Sequence, residues 1–344
     1  MSGPLPTRSN NFDALRLAAA FFVLVSHQHA LWGLPEPVIF GTMGLGTWGV
    51  MIFFSISGFL VSQSWRQDPH IGRFLAKRFL RIWPGLAAFT LIAAFILGPA
   101  TSTLPWQSYF SAPEFLEFFN NLKLISIRHY LPGVFENNPF PKAVNGSLWT
   151  IPLEVRCYIT LALVGLIGLT RRPVIVAVGT AAFGIYYFVF APDPTNYLFH
   201  FGLYFYVGVC LDLFRKYWEG RAVAIGGAIA VVAAALLWLD APWPACLLLI
   251  TYSSVWIGSR TTPVLNQIGR FGDVSYGVYV YAFGVQQTVV WLVGKTFPFA
   301  AGLLIAAVIT TLCAYLSWYL VEQPALALKV RLRAAPANHA AWHQ

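Results

Sequence analysis

Long apolar segments, each about the length of a membrane-crossing helix, recur along the whole chain and are separated by short polar breaks. Turn-forming residues occupy the breaks, as in Arg171-Arg172-Pro173 and Pro192-Asp193-Pro194. This pattern predicts an all-α fold, a polytopic integral membrane protein of about ten transmembrane helices. The predicted spans are 14–34, 44–65, 82–104, 147–169, 174–191, 197–214, 222–239, 245–258, 275–293 and 299–321.

The composition excludes a soluble enzyme. Of 344 residues, 58% are hydrophobic and only 10% are charged, whereas soluble domains carry about 25% charged residues. The same numbers exclude a disordered or fibrous chain. The 4 cysteines lie in apolar runs without paired spacing, so neither a disulfide framework nor a metal site is predicted. Asp13 and Arg16 interrupt the first apolar segment, which therefore does not read as a cleavable signal peptide.

The distribution of basic residues predicts the orientation. When the N-terminus is placed inside, the outer connections hold only Lys123, Arg128, Lys142 and Lys295, and most of the 22 Lys and Arg fall on the inner side. This is the positive-inside pattern. Both termini are therefore expected in the cytoplasm, and the net charge of +9 is explained by the lipid bilayer without any nucleic-acid partner.

The chain is expected to form one transmembrane domain, 1–326, followed by a basic cytoplasmic tail, 327–344. Two connections are longer than a hairpin turn. The inner one, 66–81, is rich in basic residues, and the outer one, 105–146, is rich in aromatic residues, Pro and Asn. Long loops inside compact folds usually serve function, so both are candidate parts of a site.

Two ionisable residues in the first predicted helix are candidates for function, because a charge at the bilayer centre costs at least ~2.5–3.5 kcal/mol. Arg16 and His27 are eleven positions apart and project from one helix face, about 16 Å from each other along the axis. Arg16 is expected at the cytoplasmic mouth and His27 beyond the midplane. The alternatives are a snorkelling anchor for Arg16 and a packing histidine for His27.

Glu154 in the fourth predicted helix is expected at about the depth of His27. A carboxylate beside an imidazole fixes its tautomer and raises its basicity, which is the pairing that general-base chemistry needs. The alternative is that Glu154 only neutralises Arg156, two positions further on.

A basic run precedes the third predicted helix and consists of Arg73, Lys77, Arg78 and Arg81. Spacings of three and four residues gather cations along a helix, and Arg guanidinium groups suit phosphate oxygens. The alternative is a role in topology or in binding anionic lipids only.

Six short motifs follow one another over residues 12–324. They are Phe12-Asp13-Ala14-Leu15-Arg16 with His27 (Arg-x10-His), Ser57-Gly58-Phe59-Leu60, Arg78-Phe79-Leu80-Arg81 with Pro84, Ser147-Leu148-Trp149 with Glu154, Ser275-Tyr276, and Glu322-Gln323-Pro324. In this order they resemble the motifs of the acyltransferase-3 superfamily of integral membrane acyltransferases. The chain departs from many members of that family where a His-x-Pro follows the late Ser-Tyr, because it has Ala282-Phe283-Gly284 and then Gln286-Gln287. The soluble esterase-like domain that some members append is also expected to be absent.

The resemblance implies an O-acyltransferase that moves an acyl group, most often acetyl, from cytoplasmic acyl-CoA to a hydroxyl of an external glycan or lipid-linked sugar. Acetyl-CoA is then the donor, and no metal is implied. In this reading His27 is the general base or a covalent acyl carrier, oriented by Glu154, with Arg16 at the mouth. The donor-binding residues are Arg16, Arg73, Lys77, Arg78 and Arg81, and the acceptor-binding residues are Asn145, Trp149 and Tyr158.

Two other functions remain open from the sequence. A transporter or flippase for a lipid-linked sugar would use the buried Arg, His and Glu groups as a relay, and a structural scaffold would leave those groups without a purpose. The preferred expectation is an O-acetyltransferase of a surface polysaccharide, such as O-antigen or exopolysaccharide, in a bacterial inner membrane.

Overall fold

The computed structural model describes residues 10–39, 43–190 and 196–330. Within these residues the chain is mainly helical, and a long helix coincides with each of the predicted spans. Three helices are continued by a π-helical turn, at Ala93–Leu97, Tyr186–Phe190 and Trp318–Glu322. The long helices are α1 (Phe12–Leu31), α2 (Leu45–Gln67), α3 (Ile71–Thr101), α4 (Thr150–Leu166), α5 (Pro173–Phe190), α6 (Tyr197–Leu213), α7 (Arg215–Trp238), α8 (Pro242–Ser259), α9 (Ser275–Val293) and α10 (Phe299–Ala327).

The all-α integral membrane class is confirmed. Among the described residues, 6 helices are long and apolar enough to cross a membrane, namely α1, α2, α3, α5, α7 and α10. Helix α6 is apolar but shorter. The number of crossings and the side of each terminus stay predictions, and most of the basic tail, residues 331–344, lies outside the described residues.

Consecutive helices run in opposite directions, so the bundle has two distinct ends. The start of α1 and the end of α8 lie at the same end of the bundle, because the backbone N–H of Asn11 donates to the Gly258 carbonyl over 3.0 Å. The start of α9 lies at this end as well, since Arg16 reaches Asp273. We call it the basic end, because most Lys and Arg of the described residues lie there.

Helix α2 occupies the centre of the bundle and packs against α1, α4, α6 and α8. Its contact with α6 is close because both helices place glycine at the crossing. A Cβ atom on Gly58 would overlap the carbonyl of Phe205, and one on Gly208 would overlap the carbonyl of Ser55. Small residues allow such backbone approach between apolar helices. The Gly in the Ser-Gly-Phe-Leu motif therefore has a packing role.

The opposite end is covered by the connection between α3 and α4. This connection contains the short helices Trp106–Ser111 and Pro113–Phe118 and the 3-10 segment Phe119–Lys123. A two-stranded hairpin, β1 (Val38–Ile39) and β2 (Met43–Gly44), lies between α1 and α2.

Two buried glutamines hold α9 to its neighbours: Gln287 binds the covering connection, and Gln286 binds α1. The Gln287 side-chain amide donates to the carbonyls of Phe140 and Ala143, over 2.8 Å in each case. Gln286 donates to the Leu24 carbonyl and to Gln28, over 2.7 Å in each case. The glutamines that follow Ala282-Phe283-Gly284 thus hold α9 to its neighbours.

Candidate active site

Four charged side chains from four parts of the chain meet at the basic end. Asp273, just before α9, accepts from Arg81 over 2.5 Å and from Arg16 over 3.0 Å. Arg81 also lies 3.7 Å from Glu322, which is 2% exposed. We call Arg16, Arg81, Asp273 and Glu322 the ion cluster. It joins α1, α3, the start of α9 and the end of α10.

Opposite charges keep the Asp273 carboxylate ionised. Burial alone would raise the pKa of Asp273, but attraction to Arg81 and Arg16 outweighs burial and lowers it to about 2. Ser275 adds a hydrogen bond of 2.5 Å to the same carboxylate. Arg16 and Arg81 are therefore neutralised by carboxylates of the protein itself.

The basic run of α3 divides into two groups. Arg73 and Lys77 both bind Asp68, each over 2.6 Å, in the connection between α2 and α3. These bonds lower the pKa of Asp68 below its usual range. Arg78 and Arg81 instead face the inside of the bundle, so the four cations do not form one continuous row.

Arg78 is half-buried, and it makes no salt bridge within the part of the chain that the structure describes. Its Nη2 donates weakly to Ser64 over 3.4 Å, and its enclosed Nε has no hydrogen-bond partner among the described residues. The guanidinium carbon lies 5.9 Å from the centre of the Tyr158 ring. Glu154 attracts Arg78 electrostatically, but from beyond salt-bridge distance.

Glu154 does not meet His27, contrary to the expected pairing. Its carboxylate accepts from Ser57 of α2 over 2.8 Å and from the hydroxyl of Tyr158, one helical turn further along α4. Arg156 is exposed and points away, so neutralisation of Arg156 does not explain Glu154 either. The two side chains point in different directions. Glu154 faces α2 and α3, whereas His27 contacts the residues just before α4.

His27 contacts Ser147 and Phe283. Its Nδ1 lies 3.3 Å from the Ser147 hydroxyl, and its ring meets the edge of Phe283 with 5.2 Å between ring centres. Because α1 is one continuous helix, Arg16 and His27 share a face, as predicted. Arg16, His27 and Glu154 do not form one hydrogen-bonded chain within the described residues.

The three predicted acceptor residues lie in different surroundings. Trp149 packs against the rings of Tyr197 and Phe201, at 4.8 and 6.0 Å between centres. Tyr158 lies with Glu154 and Arg78, not with Trp149. Asn145 is fully buried, and its amide donates to the Val280 carbonyl while its oxygen accepts from the Ser147 nitrogen.

The sequence reasoning did not assign a site role to four of these residues. Ser57, Ser147 and Glu322 stand inside the quoted motifs, so the motifs contained the signal. Asp273 lies two residues before Ser275-Tyr276 in a polar connection, where an acidic residue is normally predicted to be exposed to solvent. Only the fold brings it between two arginines from other helices.

A histidine, a glutamate and an arginine in the interior of a membrane-embedded helical bundle indicate a functional site, because ionisable groups are costly there and are not needed in a passive scaffold. The chain belongs to the acyltransferase-3 family, whose model, described as an acyltransferase domain, matches residues 9–321. The protein is accordingly an integral membrane acyltransferase.

Two relatives are similar to this chain over nearly their whole length. The chain is 32% identical over 334 residues to an "O-acetyl transferase" of Shigella phage Sf6, covering 92% of this chain and 96% of the relative. It is 29% identical over 361 residues to "Nodulation protein 10" of Rhizobium leguminosarum bv. viciae, covering 94% and 95%. No solved structure matches.

Proposed function

We propose that the protein transfers an acetyl group from cytoplasmic acetyl-CoA, bound at the basic end, to a hydroxyl of a glycan or lipid-linked sugar at the opposite end. The name of the phage relative supports acetyl as the acyl group. The family assignment supports acyl transfer but specifies neither donor nor acceptor. The membrane we propose is a bacterial inner membrane, with the basic end facing the cytoplasm.

The observation that carries the donor proposal is the state of Arg78. Its neighbours Arg16 and Arg81 are paired with carboxylates. Arg78 is half-buried, and among the described residues it makes no salt bridge and its enclosed Nε has no hydrogen-bond partner. A guanidinium withdrawn from water without a counter-charge is costly unless an anion binds it. The phosphate groups of CoA are anions of suitable geometry for the planar fork of Arg.

The proposal assigns different roles to the five residues that the sequence predicted to bind the donor. Arg78 would bind a donor phosphate directly. Arg81 and Arg16 would hold the entrance in shape through Asp273, and Arg73 and Lys77 would extend the positive field at the mouth while bound to Asp68. Tyr158, which lies over Arg78, then belongs to the donor path rather than to the acceptor side.

His27 is the proposed reacting group. As a general base it would take the proton of the acceptor hydroxyl, the oxygen would attack the thioester carbonyl, and the CoA thiolate would leave with that proton. As a carrier it would first take the acetyl group itself and then pass it to the hydroxyl. Both routes use one unprotonated ring nitrogen. Glu154, bound to Ser57 and Tyr158, would act on Arg78 rather than on the imidazole.

On the acceptor side, the aromatic group of Trp149, Tyr197 and Phe201 is the proposed platform for a sugar. Asn145 would serve that side indirectly, because both of its polar groups already bind the backbone.

The donor proposal is tested with Arg78→Met and the matched control Arg156→Met, an exposed arginine of α4 without a role in the site. Acetyl transfer from radiolabelled acetyl-CoA is measured in inside-out vesicles. A charged hydrogen bond to phosphate contributes about 1.5–3 kcal/mol, so Arg78→Met should raise the KM for acetyl-CoA at least tenfold. An unchanged KM in Arg78→Met would refute the assignment.

A further inference from the structure

Ser147 is placed against the histidine of the proposed reaction. Its hydroxyl oxygen lies 3.3 Å from Nδ1 of His27, and Ser147 is 1% exposed. Among the described residues, Ser147 is the hydrogen-bond partner of the His27 ring. The other ring nitrogen, Nε2, has no hydrogen-bond partner among the described residues. It is absent from the enclosed polar atoms that lack a partner, so it is not fully enclosed by the protein.

The fold fixes the position of this hydroxyl through α9. The Asn145 amide donates to the Val280 carbonyl over 2.7 Å, and its oxygen accepts from the Ser147 nitrogen over 2.8 Å. The Tyr279 hydroxyl donates to the Ser147 carbonyl over 2.6 Å. The backbone on both sides of the Ser147 side chain is therefore anchored to one buried helix.

Close packing restricts the segment further. A Cβ atom on Gly146 would lie 2.5 Å from the Phe283 ring, so the chain at this point follows α9 closely. The same Phe283 ring packs against the His27 imidazole in a T-shaped pair. Ser147 and Phe283 thus contact the imidazole from two elements, which limits its rotation.

We infer that Ser147 is a positioning residue that holds His27 as the Nδ1–H tautomer and leaves Nε2 as the reacting nitrogen. This inference rests on the proposed function. For Nε2 to act as base or nucleophile it must carry the lone pair, so the ring hydrogen must be on Nδ1 and be donated to the Ser147 oxygen. A neutral hydroxyl thus takes the orienting role that the sequence analysis assigned to the Glu154 carboxylate.

The consequence for the reaction is specific. Ser147 is 1% exposed, and its side chain contacts Nδ1, the ring nitrogen that does not react in this proposal. Its loss should therefore leave donor binding intact and lower the fraction of His27 in the competent tautomer. Without the serine, a neutral imidazole is free to carry its hydrogen on Nε2, which blocks proton uptake there. Removal of the Ser147 hydroxyl should therefore lower kcat and leave the KM for acetyl-CoA unchanged.

The test compares Ser147→Ala with Ser147→Thr, which retains the hydroxyl. The control is Ser253→Ala, whose hydroxyl bonds carbonyls of its own helix α8 within the described residues. The first readout is the tautomer of His27, followed by 15N magnetic resonance of histidine-labelled protein in lipid bilayers. The His27 signal is identified by its loss in His27→Gln. The second readout is acetyl-transfer kinetics.

We expect the wild type and Ser147→Thr to show the Nδ1–H form, and Ser147→Ala to shift towards Nε2–H. General-base catalysis contributes about 10²–10⁴-fold, and we expect Ser147→Ala to lose about tenfold or more in kcat with an unchanged KM for acetyl-CoA. An unchanged tautomer in Ser147→Ala would overturn the inference, whether or not activity falls. The resonance readout needs no donor, so a wild type without acetyl transfer would refute the proposed function and leave the Ser147 inference to be decided separately.

Discussion

The carboxylate of Asp273 holds two guanidinium groups that come from different helices. Arg16 of α1 and Arg81 of α3 both bind its Oδ2. Removing one partner of a buried ion pair is costly because the remaining charge stays buried without compensation. At the residue scale, Asp273 therefore holds α1, α3 and the start of α9 together at the basic end.

Asp273→Asn should destabilise the protein, because it removes the nearest carboxylate of two arginines. Among the described residues Arg81 then keeps the more distant Glu322, at 3.7 Å, and Arg16 keeps Asp13, at 3.4 Å. We expect a loss of about 3 kcal/mol, measured as a lower melting temperature in detergent. The matched control Asp68→Asn removes a carboxylate at the more open connection before α3 and should cost much less. Equal melting temperatures for Asp273→Asn and the wild type would contradict this role.

The contribution of Asp273 should also depend on pH in a defined direction. Its pKa is lowered to about 2, below the ordinary carboxyl value of about 3.9. Its stabilising effect is thus complete above the unfolded pKa and is lost as the pH falls through the folded pKa. The difference in melting temperature between wild type and Asp273→Asn should stay constant from pH 8 to pH 5 and shrink below about pH 4. A difference that disappears already between pH 8 and pH 5 would contradict the assignment.

The sequence identified cations more easily than it identified their partners. Arg16 and His27 were predictable because an eleven-residue spacing fixes their common face within one helix. The partners Asp273, Ser57 and Ser147 belong to other elements, and no periodicity within one helix relates them to His27, Glu154 or Arg16. The expected pairing of Glu154 with His27 rested on depth alone, and depth does not determine the direction in which α4 turns its side chains.

Helix α2 determines the packing of the bundle at the scale of elements. A helix lies over each of the ten predicted spans, and six of these helices are long and apolar enough to cross a membrane among the described residues. The crossing of α2 and α6 was not predictable, because it depends on Gly58 and Gly208 lying opposite each other. Ser57, next to Gly58, contacts Glu154, so this crossing also sets the position of a candidate site residue.

Gly58→Ala should destabilise the protein, because the added methyl group would meet the Phe205 carbonyl on α6. Overpacking of this kind costs about 1–3 kcal/mol, and it should lower the melting temperature and the acetyl-transfer rate together. The control is Gly179→Ala on α5, where nothing lies within 4 Å of the new Cβ atom. A Gly58→Ala protein as stable as the Gly179→Ala protein would show that the crossing is looser than described.

The whole molecule has one basic end and one end covered by the α3–α4 connection. The concentration of Lys and Arg at the basic end predicts that this end faces the cytoplasm. Cysteines introduced at Gln67 and at Ser126, both exposed, report on the two ends. We expect an impermeant maleimide to label Ser126→Cys in intact cells and Gln67→Cys only after the membrane is opened. The reverse labelling order would invert the topology.

The central claim is that acetyl groups enter at the basic end and pass His27 to reach an acceptor. It is tested most directly by supplying radiolabelled acetyl-CoA to sealed inside-out and right-side-out vesicles from cells that make the acceptor, for wild type and His27→Ala. The account predicts labelled carbohydrate in wild-type inside-out vesicles only, and none in His27→Ala protein inserted at the same level. Equal labelling in both vesicle orientations, or labelling that persists in His27→Ala, would contradict the account.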